Sequence, residues 1–83
     1  MASAERVLDT RVATARSCAE QTNDTLDEIG IGDSFVLIAD HDPVGLRYML
    51  QAERPGLANW ELLEDGPPFW RVRIRKGAAA SAR

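Results

Sequence analysis

The hydrophobic pattern along this chain predicts an α+β fold: a two-layer α/β sandwich of order βαβαββ, with a four-stranded mixed sheet and two helices on one face. Three observations carry that prediction. Ser34 to Ala39 is a continuous β-rich run, Thr14 to Ile29 sets apolar and small residues at helical spacing, and Trp70 to Lys76 alternates apolar with basic side chains. A continuous run suits a strand buried on part of both faces, three-and-four spacing suits a helix with one wet side, and alternation suits a strand with one wet face.

Taken in order, Arg6 to Thr10 predicts a short first strand with Val7 and Leu8 as its apolar content. A polar turn follows, and then a helix over about Thr14 to Ile29. Ala15, Cys18, Ala19, Thr22, Leu26 and Ile29 lie on one face of that helix, while Arg16, Glu20, Asp24, Asp27 and Glu28 can face water. Thr14 is the expected N-cap, and Gly30 and Gly32 end the helix because glycine accepts a left-handed cap without steric cost. After the central strand, Asp42 is the expected N-cap and Pro43 the first residue of a second helix, with Leu46, Met49 and Leu50 as its apolar stripe and Tyr48 at one edge. Pro55-Gly56 stops it. Asn59 to Asp65 and Trp70 to Lys76 then form an antiparallel hairpin joined by Gly66-Pro67-Pro68, with Phe69 covering the core edge. The first β-α-β unit joins parallel strands. Two helices cover one face of such a sheet and leave the other partly open.

Composition narrows the function classes. A chain of 83 residues makes one small domain with a thin stability margin, so a partner or a homodimer matters to it. The expected layout is a disordered lead at 1–5, one domain at 6–76 and a disordered tail at 77–83. A net charge of -3 argues against a general nucleic-acid binder. A single cysteine rules out an intramolecular disulfide and fits a reducing compartment. No apolar run reaches the ~20 residues of a membrane span, and the start lacks a secretory pattern, so a soluble cytoplasmic protein is expected.

The second half of the chain carries Asp40-His41-Asp42-Pro43, Glu53-Arg54-Pro55-Gly56, Trp60-Glu61, and Gly66-Pro67 with Trp70-Arg71-Val72-Arg73-Ile74. This combination resembles the bacterial family catalogued as domain of unknown function 2249, which is similar in fold to the TusA/SirA sulfur carriers. The resemblance runs from Leu8-Asp9 to Lys76. It implies the TusA-like sandwich. Because such domains occur alone or joined to hemerythrin-like and other redox-associated domains, it also implies redox or nitrogen-oxide physiology. TusA-like carriers hold a reactive cysteine in Cys-Pro-x-Pro at the start of the first helix. Counting from Leu8-Asp9 without gaps puts Ala15 at that position, with Cys18 one turn later and no proline beside it. The resemblance therefore implies the fold and not the sulfur chemistry.

Three groups of side chains are candidates for chemistry. His41, between Asp40 and Asp42, sits at a strand end beside a helix start, where α/β folds often hold ligands. An imidazole with carboxylate help can bind a metal ion, and a lone histidine can ligate haem. The bland reading is a helix-start turn, since adjacent extended residues point apart and no second histidine exists. Cys18 is either a reactive thiol near a helix N-terminus or an inert one on the apolar stripe about one turn inside. Arg71, Arg73, Arg75 and Lys76 form a basic stripe that suits a phosphate-bearing ligand or RNA, unless Glu61 and Asp65 on the neighbouring strand pair with it. Trp60 and Trp70 are expected in the core, and an exposed Trp60 would mark a partner surface. No Ser-His-Asp set, glycine-rich phosphate loop or zinc spacing is present.

The expectation is a non-catalytic binding or regulatory module. A ligand is expected at Asp40, His41 and Asp42. A protein partner or second copy is expected on the open sheet face or an edge strand. A sulfur carrier using Cys18 and a basic-face RNA binder are the alternatives.

Overall fold

Phe35-Val36-Leu37-Ile38-Ala39 offers water no polar face, and the computed structural model, which describes residues 5–11 and 16–77, seats this run in the middle of a sheet. The elements are β1 (Arg6–Asp9), α1 (Cys18–Glu28), β2 (Ser34–Ala39), α2 (Val44–Glu53), β3 (Ala58–Glu64) and β4 (Trp70–Lys76), in the order the sequence predicts. The strand order across the sheet is β1-β2-β4-β3. β2 runs parallel to β1, with Val7 opposite Val36, and antiparallel to β4, with Leu37 opposite Val72. The sheet is therefore mixed, with β1 and β3 as its edges.

Phe35 and Leu37 from β2 meet Val72 and Ile74 from β4, and Leu26 of α1, Leu50 of α2 and Leu57 of the following turn close over them. Both helices thus cover the same face. The period of two puts Arg71, Arg73 and Arg75 on the other face. Trp60 is half-buried against this core rather than within it.

The helix starts differ from the sequence reading. Residues 12–15, where Thr14 was expected to cap α1, lie outside the described residues; α1 begins at Cys18 with Ser17 as its N-cap. Ser17 Oγ accepts the Glu20 N–H at 3.1 Å, and Glu20 Oε1 accepts the Ser17 N–H at 2.8 Å. This reciprocal box is written in Ser17-x-x-Glu20 and overrides the weaker Thr14 signal. At the other end α1 stops at Glu28, its C-cap Ile29 is extended, and Lys76 Nζ donates to the Ile29 carbonyl at 2.9 Å. Of the two glycines expected to end α1, only Gly32 takes a positive φ, and it serves the turn into β2.

β3 also departs from a plain ladder. Leu62 opposes Val72 and Glu64 opposes Arg71, so Leu63 is an extra residue in a bulge. The shift gives Arg71 to Glu64 and leaves Asp65 free of the expected arginine pairing; its Oδ1 accepts the Trp70 indole N–H at 3.2 Å. Phe69 does not cover the core edge: its ring lies under the Arg11 guanidinium, 4.6 Å from the ring centre.

Thr22 is fully buried on the sheet-facing side of α1, and its Oγ1 has no hydrogen-bond partner among the described residues. Thr25 next to it is satisfied by the Gln21 carbonyl at 2.9 Å. An unmade buried bond costs the desolvation of the hydroxyl, so Thr22→Val is expected to raise stability by about 1 kcal/mol. The urea midpoint checks this, and a lowered midpoint would mean the hydroxyl is satisfied.

Candidate binding site

Of the three polar residues at the end of β2, Asp40 and His41 come together and Asp42 does not join them. His41 Nδ1 lies 3.1 Å from Asp40 Oδ1, and both side chains are more than half exposed, at 64% and 60%. Asp42 turns the other way: its Oδ1 accepts the Val44 N–H at 3.1 Å. Helix geometry is counted from Val44, with Pro43 in the cap position, one residue later than the sequence reading places it. The carboxylate still satisfies an orphan donor of the first turn, so Asp42 does the capping work expected of it. Asp40 acts electrostatically on Arg11. Among the described residues, no three His, Cys, Asp or Glu side chains come together to hold a metal ion.

Asp42 instead forms one wall of a cleft of about 270 Å³ between the start of α2 and the β3–β4 hairpin. Pro43, Val44 and Arg47 line it from α2, and Trp60, Leu62, Asp65 and Trp70 from the hairpin. The physical cause is coverage. Leu62 sits on the helix-facing side of edge strand β3, opposite Val72, yet it stays 50% exposed. Val44, on the first turn of α2, is 44% exposed. Both tryptophans are only half-buried. Apolar walls left open beside a few convergent charged groups, here Asp42, Arg47 and Asp65, are the usual mark of a recognition surface. Val44, Arg47 and Leu62 are not among the site residues expected from the sequence. A signal was there: Leu62-Leu63 breaks the period of two, and a bulge is what such a break predicts.

Cys18 is the first residue of α1, not one turn inside it. Its side chain is partly buried and packs against the core cluster. It lies away from the cleft, which α1 does not line.

The family described as an uncharacterised conserved protein, DUF2249, matches residues 7–76. The chain belongs to this family. No curated protein and no solved structure matches it.

On the open face of this DUF2249 domain, the basic stripe is largely neutralised. Arg73 is bound by Glu5 at 2.8 Å and by Glu61 at 3.3 Å, and Arg71 by Glu64 at 3.6 Å. Glu5 also accepts the Ser34 hydroxyl at 2.5 Å, tying the segment before β1 to β2 and β4. Arg75 makes no ion pair among the described residues. Lys76 is turned to α1 instead of the open face. Hydrogen bonds from Arg73 and Ser34 hold the Glu5 carboxyl below its usual range, and those from Arg11 push Asp9 down to about 2. The Ser17 backbone N–H lowers Glu20 likewise.

A lowered carboxyl stabilises the folded chain above its unfolded pKa, and that contribution is lost as pH falls through the folded value. Urea midpoints are therefore expected to be flat near neutrality and to fall from the usual carboxyl range down toward about pH 2, the Asp9 value. Asp9→Asn should make that fall shallower; an unchanged acid limb would mean that Arg11 and Asp9 are not paired in solution.

No helix among the described residues is long and apolar enough to cross a membrane.

Proposed function

We propose that this domain is a non-catalytic binding module that engages a protein partner through the cleft beside Asp42. The observation that carries this reading is the uncovered apolar wall of Leu62, Val44 and the two tryptophans at the end of the sheet that holds the Asp40-His41-Asp42 turn. The likeness to TusA-like domains, and the redox-associated company kept by similar domains, support a TusA-like module of redox-linked physiology in a reducing compartment. Affinity capture with the intact chain tests the surface. Proteins held by the wild type and lost by Leu62→Lys support the cleft; equal capture by both puts the partner surface on the open sheet face or at β1.

A second reading, a metal ion or haem at His41, has one observation in its favour. Asp40 and His41 present two exposed donor atoms 3.1 Å apart. An amide titration with zinc, copper, nickel and haem in turn tests it. Saturable shifts centred on Asp40 to Leu46 and abolished by His41→Ala support the site, and unchanged affinity in that variant ends the reading. Sulfur transfer by Cys18 draws on its place at the first position of α1. Thiol labelling only after denaturation would end that reading.

A further inference from the structure

We propose that the cleft receives an arginine side chain from a basic segment of the partner. This rests on the reading of the cleft as the partner surface and names the chemistry of what enters it. The polar groups of the cleft decide the sign of charge. Asp42 and Asp65 each have one carboxylate oxygen engaged internally, by the Val44 N–H and the Trp70 indole N–H. Neither forms an ion pair with Arg47, whose guanidinium has no partner among the described residues. Two carboxylates against one guanidinium leave the cleft negative, and the whole chain carries -3.

Three kinds of partner side chain can be compared on that basis. An aliphatic one fits the walls but buries Asp42 and Asp65 oxygens without a hydrogen bond, which is costly. An acidic one adds like charge. A long cation lays its methylene stem along Leu62 and Val44 and brings donors to the carboxylates. Among the described residues the indole faces of Trp60 and Trp70 carry no cation, and the cation–ring contact is Arg11 over Phe69. A planar guanidinium stacks on an indole and donates to a carboxylate in two parallel bonds, which an ammonium does not. That selects arginine over lysine.

The test uses the isotope-labelled full chain and three capped heptapeptides of sequence Ala-Leu-Ala-X-Ala-Leu-Ala, where X is arginine, norleucine or glutamate. The indole N–H signals of Trp60 and Trp70 and the amides of Val44 and Leu62 report on the cleft. The arginine peptide is expected to give saturable shifts there, with affinity at least about tenfold above the other two, equivalent to ~1.4 kcal/mol. Its affinity should fall as salt shortens the Debye length. In Asp42→Asn/Asp65→Asn the asparagines keep the helix cap and the indole acceptor, so the fold persists while the arginine preference disappears. Norleucine or glutamate binding the cleft as tightly as arginine overturns the proposal and leaves the cleft standing as a site. Silence at the cleft with all three peptides also overturns it, and the cleft reading then rests on the Leu62→Lys capture alone.

Discussion

Phe35→Ala is expected to remove a large share of the stability of the fold, about 3–5 kcal/mol, and to lower the urea midpoint accordingly. Phe35 is 0% exposed, sits on the central strand opposite Ile74, and is the largest side chain in the core cluster. Removing a buried phenylalanine ring costs about 3–5 kcal/mol, the transfer term plus the cavity left behind. A domain of this length has a total stability of only about 4–12 kcal/mol. The packing leaves little room for collapse, because Leu37, Val72 and Ile74 are held by strand pairing on both sides. Far-ultraviolet circular dichroism with urea titration measures the loss. Tyr48→Ala is the control: Tyr48 is 65% exposed, so its truncation should change stability by less than about 0.5 kcal/mol. A Phe35→Ala chain with a near-native urea midpoint would mean that the core is centred elsewhere.

The second large effect is on binding. Leu62→Lys should lower partner affinity at least about thirtyfold, the scale of a residue worth ~2 kcal/mol at the centre of an interface. The lysine stem can cover the apolar wall while its ammonium reaches the carboxylates of Asp42 and Asp65, so the variant fills its own cleft. Folding should barely change, because Leu62 is already half exposed on an edge strand where lysine is well tolerated. Equal thermal melts with lost capture would separate the binding role from a structural one. Lost capture together with a lowered melt would not, and Val44→Lys then repeats the test from the α2 wall.

The elements of the fold were legible because each rests on a local pattern. Ser34 to Ala39 has no polar face, and the Trp70 to Lys76 alternation fixes which side meets the helices. The start of α1 was misread because Thr14 and Ser17 are both fair caps, and only Ser17 has a glutamate three residues on. Glu61 stands opposite Arg73 as expected, but Glu64 takes the place expected for Asp65, because the Leu62-Leu63 bulge cannot be counted from period alone.

The site was less legible. Asp40, His41 and Asp42 are adjacent in sequence, but Asp40 pairs with His41 at the exposed turn while Asp42 bonds the start of α2 and lines the cleft. The cleft itself joins residues from Asp42 to Trp70 across two separate elements. Leu62 stays half exposed on an edge strand, a placement that comes from the strand order of the sheet. The arginines of β4 were easier: the carboxylates of β3 stand opposite them in sequence order, and the pairing with Glu61 and Glu64 follows with the bulge allowed for.

That the cleft beside Asp42 is where this domain binds is tested most directly by a fragment screen. Small apolar, cationic and anionic compounds are added to the labelled chain, and amide and indole shifts are mapped. Hits that cluster on Val44, Trp60, Leu62 and Trp70, and that vanish in Leu62→Lys, are the expected result. Hits that scatter, or that gather on Arg75 and the open face of the sheet with the cleft signals unmoved, would contradict it.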